Sequence, residues 1–175
     1  TLKGAIFAHG RQMGKTLILP VRWNLATAKP VLGTNPTEKL LTNGIRGSLK
    51  YSDFEWCSWA DNDSVSFTID LLKLEMLNTL ILGCITNNGM AIHKPASVRV
   101  EVSDDNSKFR EAVVQSFTSE EIFREGNFIE NLSLKLGGTQ ARYVRVTAKG
   151  PGVCPASHVR PGQTSRIFFD EVMLE

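Results

Sequence analysis

Apolar and polar residues alternate along much of this chain. Every second residue is apolar at 65–71 and again at 98–102, the pattern of a strand with one buried face. Similar segments at 132–136 and 142–147 are separated from their neighbours by turn-forming Gly, Asn and Asp residues. The segment 166–174 predicts a last strand. Six or more short strands with turn signals between them indicate an antiparallel β-sandwich.

The inward faces of these strands predict the core. Alternate side chains point to the same side of a strand, so one apolar set should face the opposite layer. We expect the interior to contain Val65, Phe67, Ile69, Val98, Val100, Val144, Val146 and Phe169.

Three segments fit the alternation less well. The apolar residues of 71–82 suit one face of a helix, but the run at 79–85 is typical of a buried strand. All-β surroundings favour a turn followed by a strand there. The tryptophan-containing stretch 51–63 has no period and predicts a loop or a sheet edge, and 149–165 predicts a long loop.

The first 21 residues form a separate unit in this pattern. Alternation at 2–8, a glycine-containing turn at 9–14 and an apolar return at 16–19 predict a β-hairpin. A lone hairpin is only marginally stable in water. Residues 1–21 therefore either pack against the next domain or are the end of a preceding small β-domain, and we expect residues 22–175 to form the sandwich.

Composition and charge narrow the classes of function. The chain has 175 residues and a formal net charge of +2, from 20 basic and 18 acidic side chains. This balance gives no electrostatic basis for binding nucleic acid or an anionic membrane. The cysteines, Cys57, Cys84 and Cys154, are odd in number and widely spaced, which argues against a zinc knuckle and against a disulfide framework.

The acidic residues and histidines show no catalytic pattern. A glycosidase needs two carboxylates that face each other across a cleft, whereas the acidic pairs 104–105 and 120–121 are neighbours in sequence. The three histidines have no partner that marks a nucleophilic triad. We therefore expect a protein without catalytic activity of its own.

Several motifs resemble the F5/8 type C family, which is also called discoidin-like or galactose-binding-like. NLATAKPV at 24–31, LTNG at 41–44 and FDEV at 169–172 are similar to that family's first strand, first loop and last strand. A narrower likeness is to the module at the C-terminal end of bacterial family 20 β-N-acetylhexosaminidases (chitobiases). It is carried by 41–48, Trp56, 69–71, 102–105, 142–146, 152–155, His158 and 168–171.

The resemblance implies an all-β, discoidin-like jelly-roll sandwich with a non-catalytic accessory role. Such a module would belong to a secreted or periplasmic β-hexosaminidase and adjoin the catalytic domain of the same chain. It would bind the terminal hexose or N-acetylhexosamine of a glycan. Two rival functions stay open: a structural inter-domain module without a soluble ligand, and a cell-surface adhesion domain.

A sugar site needs an aromatic platform for the apolar face of the ring and planar polar side chains for its hydroxyls. Binding residues are often found on loops held by a rigid scaffold. Loops at 56–62, 87–93 and 158–166 carry these residue types, and Trp56 and Trp59 also suit a core. The candidate ligand-binding residues are Trp56, Trp59, Asn87, Asn88, His93, His158, Arg160 and Arg166.

The resemblance also implies a structural calcium ion near the first loop. Calcium prefers several oxygen ligands, and carboxylate charge raises its affinity. The matching positions are Asn43, Ser48 and Glu171. Asn43 stands where the family usually has aspartate, so this site has one negative charge fewer.

Overall fold

The structure, a computed structural model, describes residues 2–19, 23–59 and 64–175. These ranges contain the α-helix α1, Ser119–Ile122, and 3-10 helices at Glu38–Thr42 and Asn88–Met90. No helix in them has the length and apolar character needed to cross a membrane. The strands are β1 Leu2–Ala8, β2 Arg11–Leu19, β3 Val31–Leu32, β4 Cys57–Trp59, β5 Ser64–Asn87, β6 Ser97–Ser103, β7 Arg110–Ser116, β8 Asn127–Lys149 and β9 Ile167–Leu174.

The long strands β5 and β8 bend, and each contributes to both layers of the sandwich. They pair antiparallel over most of their length, with register shifts between Asp70 and Glu75 and between Leu77 and Thr79. Before the bend, β5 pairs with β3, and the facing part of β8 pairs with β6, which pairs with β7. Beyond it, β5 pairs with β9, and β9 pairs with β4. The result is the antiparallel β-sandwich predicted from the alternation.

Apolar side chains from both layers fill the interior. All eight predicted core residues are buried, each at most 4% exposed, so that prediction is confirmed. A fully buried side chain of this size contributes about 1.5–3 kcal/mol relative to leaving it exposed. The layers are therefore held together mainly by the inward faces of β5, β6, β8 and β9.

The ambiguous segment 71–82 lies within β5, so the strand expectation is confirmed and the helix alternative is wrong. The expected turn corresponds to the irregular stretch at the bend, where Leu72 has a φ of 70°. We call the part of the sandwich at 71–78 and 136–141 the bend end. The loops at 87–93, 117–127 and 150–166 form the opposite end, which we call the loop end.

The predicted N-terminal hairpin is present, with β1 and β2 paired from Leu2–Leu19 to Ala8–Arg11. Its turn is tighter than predicted, because Ala8 pairs directly with Arg11 and only two residues lie between them. These are His9 and Gly10, whose positive φ values of 49° and 75° are those of a two-residue hairpin turn. The predicted boundary between residues 21 and 22 lies outside the described residues. That the hairpin ends a preceding domain stays a prediction.

Candidate functional site

Local hydrogen bonds shape the first segment of the loop end. The Asn87 Oδ1 atom accepts a bond of 3.2 Å from the Met90 N–H and so starts the short 3-10 helix after β5. Ala91 then takes a left-handed φ of 51°, which turns the chain back. Ile92 consequently forms isolated bridges with Asn87 and with Arg166. The segment 87–93 is thereby attached to the loop that precedes β9.

The two predicted arginines help to hold these loops together. Arg166 donates from Nη2 to the Met90 carbonyl at 3.0 Å, and Arg160 donates from Nε to the Gly89 carbonyl. Arg166 is half-buried, whereas Arg160 is exposed. Arg160 can therefore face a ligand, while Arg166 mainly positions the segment 87–93.

Beneath these loops lie His93, Cys154 and His158, which we call the loop-end cluster. The two Nε2 atoms are 3.1 Å apart, and His158 Nδ1 accepts a 3.0 Å hydrogen bond from the Arg160 N–H. Burial lowers the pKa of His93 to about 4; the neighbouring His158 adds to this effect, and the Ile122 backbone opposes it. The His93 ring is therefore neutral at pH 7.

A shallow pocket of about 110 Å³ opens above His158. This volume is below the roughly 300–1,000 Å³ of drug-sized ligand sites, so it suits part of one sugar ring. Phe123 forms an aromatic wall, and its ring contacts both histidines, with centroids 5.0 Å from His93 and 6.1 Å from His158. The lining residues are Asn88, Phe123, Glu125, Pro155, Ser157, His158 and Val159.

Phe123 and Glu125 were not among the predicted site residues, although the sequence carries a signal for them. Thr118 and Glu121 form a capping box, in which the Thr118 side chain accepts the Glu121 N–H and the Glu121 carboxylate accepts the Thr118 N–H. The pattern Thr-x-x-Glu before apolar residues predicts a helix start. That helix, α1, ends beside Phe123 and delivers it to the pocket.

The two predicted tryptophans do not present their rings to this pocket. Trp59 lies opposite Ile167 at the loop end but turns inward, 8% exposed, where it stacks on Phe67. Trp56, 5% exposed, belongs to a second apolar cluster with Phe168 and donates from Nε1 to the Ser48 carbonyl. An indole buried this deeply cannot stack on a sugar, so the expectation that Trp56 and Trp59 bind the ligand is corrected, and both belong to the apolar clusters.

The other six predicted residues, Asn87, Asn88, His93, His158, Arg160 and Arg166, do gather at the loop end. The first predicted loop also starts near this end, because Trp59 at the end of β4 pairs with Ile167, the first residue of β9. The far part of the first loop, at 60–62, lies outside the described residues. Sequence reasoning therefore identified two of the loops and most of the polar groups that meet here, but the aromatic residue that lines the pocket is Phe123 rather than a tryptophan.

A second polar cluster, which we call the first-loop network, joins the first loop to β9. It consists of Asn43, Gly44, Arg46, Asp170 and Glu171. Arg46 Nε donates to Asp170 Oδ2 at 2.6 Å, and the Gly44 N–H donates to Glu171 Oε2 at 3.0 Å. Burial raises the pKa of Asp170 despite the Arg46 contact, and burial raises the pKa of Glu171 to about 8.

The predicted calcium ligands fit a cation only in part. Glu171 Oε1 is buried and makes no hydrogen bond of ordinary geometry, although Asn24 also interacts with this carboxyl group, so one oxygen is available to a cation. Asn43 Oδ1 already accepts the Ile45 N–H at 2.8 Å, and the exposed Ser48 uses its Oγ to accept the Lys50 N–H. Glu171 would therefore hold the ion. Asn43 precedes Gly44, whose N–H is bonded to Glu171, whereas Ser48 shows no ligand geometry.

A family comparison identifies the class of this chain. The family model described as F5/8 type C domain matches residues 26–159, which is most of the chain. The chain therefore belongs to the F5/8 type C family, and the predicted discoidin-like fold is confirmed. No curated protein sequence matches it.

Solved structures of similar fold include several sugar-binding proteins. The module CpGH89CBM32-6 produced by Clostridium perfringens is 18% identical, with a TM-score of 0.57 over 87% of this chain and 98% of that one. Chitosan-binding module 1 from a Paenibacillus sp. IK-5 chitosanase/glucanase is 16% identical, with a TM-score of 0.56 over 88% and 99%. The lectin domain of lectinolysin, solved with Lewis B antigen, is 15% identical, with a TM-score of 0.55 over 87% and 96%. At these identities, the likeness establishes the fold.

Proposed function

We propose that this chain is a non-catalytic carbohydrate-binding module whose loop end holds the terminal hexose or N-acetylhexosamine of a glycan. One observation carries the proposal. Two loops from distant parts of the sequence, 87–93 and 150–166, are tied together around a shallow pocket with an aromatic wall. The pocket combines the two features that a sugar needs, an aromatic face and polar side chains.

The polar groups around the pocket match this use. Asn88 Oδ1 is buried without a hydrogen-bond partner and lines the pocket, so it can accept a hydroxyl donor from a ligand. Arg160 and Glu125 are exposed near the rim, where they can donate to and accept from neighbouring hydroxyls. Phe123 offers an aromatic surface to the apolar face of the ring. The fold is shared with modules that bind chitosan and Lewis B antigen, which supports the assignment.

The wider context of the module is also part of the proposal. The likeness of its motifs to the chitobiase module supports a role beside a secreted or periplasmic β-N-acetylhexosaminidase. A shallow site for one sugar would bind weakly, near millimolar or about 4 kcal/mol. Such affinity suffices when a catalytic domain of the same chain engages the same glycan, because the second contact is then intramolecular.

A second candidate function, a structural inter-domain module, is favoured by the bend end. Leu72, Leu74 and Met76 are between 50% and 55% exposed there. Adjacent apolar side chains on one surface often mark a protein contact. In this alternative, the bend end would pack against another domain and the loop end would bind no soluble ligand.

The proposal is tested by NMR titration of the ¹⁵N-labelled chain with galactose, N-acetylglucosamine and chitobiose, each raised to tens of millimolar, well above the expected affinity. We expect at least one sugar to shift amide resonances at 88–90, 123–126 and 155–160 along a saturable curve. Sorbitol at the same concentrations controls for general solvent effects. If no sugar shifts these resonances beyond sorbitol, carbohydrate binding is rejected and the structural candidate replaces it.

A further inference from the structure

The loop-end cluster brings together three side chains that commonly bind transition metals. One ligand atom from each of His93, Cys154 and His158 lies within 4.8 Å of the other two. The side chains are 0%, 3% and 8% exposed, respectively. The sequence separation is long, since position 93 and positions 154–158 belong to different loops, so only the fold creates this cluster.

Packing alone accounts poorly for this grouping. The whole chain contains three histidines and three cysteines; His9 is exposed in the hairpin, and Cys57 and Cys84 lie in the main apolar core. The buried His93 ring interacts with the Ile122 backbone, and metal-ligating histidines commonly bond their second ring nitrogen to a backbone carbonyl. Two buried imidazoles and a buried thiol grouped outside the apolar core therefore have the arrangement of metal ligands rather than of packing residues.

The spacing suits a tetrahedral ion. Zinc–nitrogen bonds of about 2.0–2.1 Å place two ligand nitrogens about 3.3 Å apart, and the two Nε2 atoms here are 3.1 Å apart. A zinc–sulfur bond of about 2.3 Å places sulfur about 3.6 Å from such a nitrogen. Since the three ligand atoms lie within 4.8 Å of one another, the longest of their separations has to shorten by at most roughly 1.2 Å to fit this geometry.

The donor types select the metal. Thiolate and imidazole ligands favour zinc and related transition metals, whereas calcium and magnesium favour oxygen. The cluster contains no carboxylate. Its side towards the pocket is lined by His158 and by Asn88, whose Oδ1 has no hydrogen-bond partner. A water molecule or this oxygen can therefore complete four-fold coordination.

Neighbouring groups determine which ring nitrogen of His158 carries the proton without a metal, and where that proton moves when an ion binds. Because His158 Nδ1 accepts the Arg160 N–H, a neutral His158 ring carries its proton on Nε2 and donates it to His93 Nε2. An ion between the two Nε2 atoms replaces this proton, which moves to His158 Nδ1 and breaks the bond to Arg160. Ser165 Oγ lies 3.3 Å from Cys154 Sγ and can donate to the thiolate, as outer contacts of metal ligands commonly do.

We propose that His93, Cys154 and His158 form a binding site for one divalent transition-metal ion of the zinc class. The fourth coordination position faces the loop-end pocket. This site is separate from the calcium ion expected at the first loop, and it does not depend on sugar binding.

The test uses the untagged chain, stripped with a chelator and titrated with Co²⁺ as a spectroscopic substitute for zinc. We expect one cobalt ion per chain, the visible absorption of tetrahedral cobalt and a thiolate-to-cobalt charge-transfer band. One equivalent of zinc should displace the cobalt. Cys154→Ser should remove the charge-transfer band, and both Cys154→Ser and His158→Gln should weaken zinc binding at least tenfold.

His9→Asn is the matched control, since it removes the histidine outside the cluster and should leave stoichiometry and spectrum unchanged. If a cluster variant fails to fold, NMR of the unmodified chain decides instead. Zinc should convert His158 from the Nε2–H to the Nδ1–H tautomer and shift the Arg160 amide resonance. The proposal is overturned if no charge-transfer band forms, if the band persists in Cys154→Ser, or if zinc leaves both histidine rings unchanged.

Discussion

The first-loop network and the loop-end cluster are both buried, but they are built from different chemical groups. The first contains an arginine and two carboxylates, with Arg46 paired to Asp170 and Glu171 bonded to the first-loop backbone. The second contains two imidazoles and a thiol around the His93–His158 contact. The first set contains an ion pair and is rich in oxygen, and the second offers nitrogen and sulfur donors.

The difference shows which cluster maintains the fold and which is available to a ligand. Asp170 and Arg46 pack so closely over β5 that only a glycine fits at position 83, because a Cβ atom there would overlap both side chains. The loop-end cluster lies just under a pocket and is held by loops rather than by strands. We therefore expect changes in the first-loop network to alter stability, and changes around the loop-end cluster to alter binding.

The largest expected loss of stability comes from Trp59→Ala, which removes a buried side chain from the core between the strands. Trp59 is 8% exposed between Phe67 and Phe169, so truncation leaves a large cavity and should cost about 4 kcal/mol. Urea denaturation measures the change. Trp23→Ala is the control, because Trp23 is 69% exposed and should change stability by less than about 0.5 kcal/mol. Equal stability of the two variants would place Trp59 outside the core.

Arg46→Met should cost about 3 kcal/mol, because it leaves the buried Asp170 carboxylate without its cationic partner. The matched control is Arg99→Met, which breaks an ion pair with Glu111 whose two side chains are each 55% exposed. Exposed pairs of this kind contribute at most about 1 kcal/mol. Urea denaturation of both variants gives the difference, and a loss for Arg46→Met no larger than the control would contradict the structural role of the network.

Calcium should stabilise the chain through Glu171 if the first-loop network holds the ion. At a calcium concentration 100 times the dissociation constant, linkage gives about 2.7 kcal/mol, or a rise in Tm of roughly 5–10 °C for a chain of this size. Glu171→Gln should abolish the rise, whereas Glu111→Gln, at an exposed site, should keep it. A Tm that responds to neither calcium nor chelator rejects the ion.

The smallest effect concerns Asp70, whose carboxylate is bonded to Arg142 at 2.8 and 2.9 Å. The hydrogen bonds from Arg142 lower the pKa of Asp70 below its ordinary value of 3.8. The pair therefore stabilises the fold above pH 3.8, and its contribution is lost as the pH falls through the lower, folded-state pKa. Asp70→Asn should cost about 1 kcal/mol at pH 7 and much less near pH 2, in urea titrations at the two pH values. An equal cost at both values would exclude the carboxylate charge as the cause.

Alternation in the sequence predicted the framework well, because a strand with one buried face imposes a period of two on its residues. The core valines of β6 and β8 followed from this pattern, whereas the strand at 71–82 was predicted from the apolar run at 79–85 and its all-β surroundings. The direction of the Trp59 ring did not, since a short edge strand with no clear period leaves either face possible. The loop-end cluster was also missed as a unit, because residues 93, 154 and 158 meet only through the bridges between Ile92, Arg166 and their neighbours. Phe123 could have been found from the capping box that precedes it.

The central claim, that the loop end binds sugar, is tested most directly by comparing the sugar affinity of two phenylalanine variants. Phe123→Leu keeps an apolar side chain of similar volume but removes the aromatic face at the pocket. Phe54→Leu changes a side chain that is 89% exposed and lies outside the loop end. For the sugar with the strongest NMR response, we predict roughly tenfold weaker binding, about 1.4 kcal/mol, for Phe123→Leu and unchanged binding for Phe54→Leu. Unchanged affinity in a folded Phe123→Leu chain, or a loss confined to Phe54→Leu, would contradict the claim.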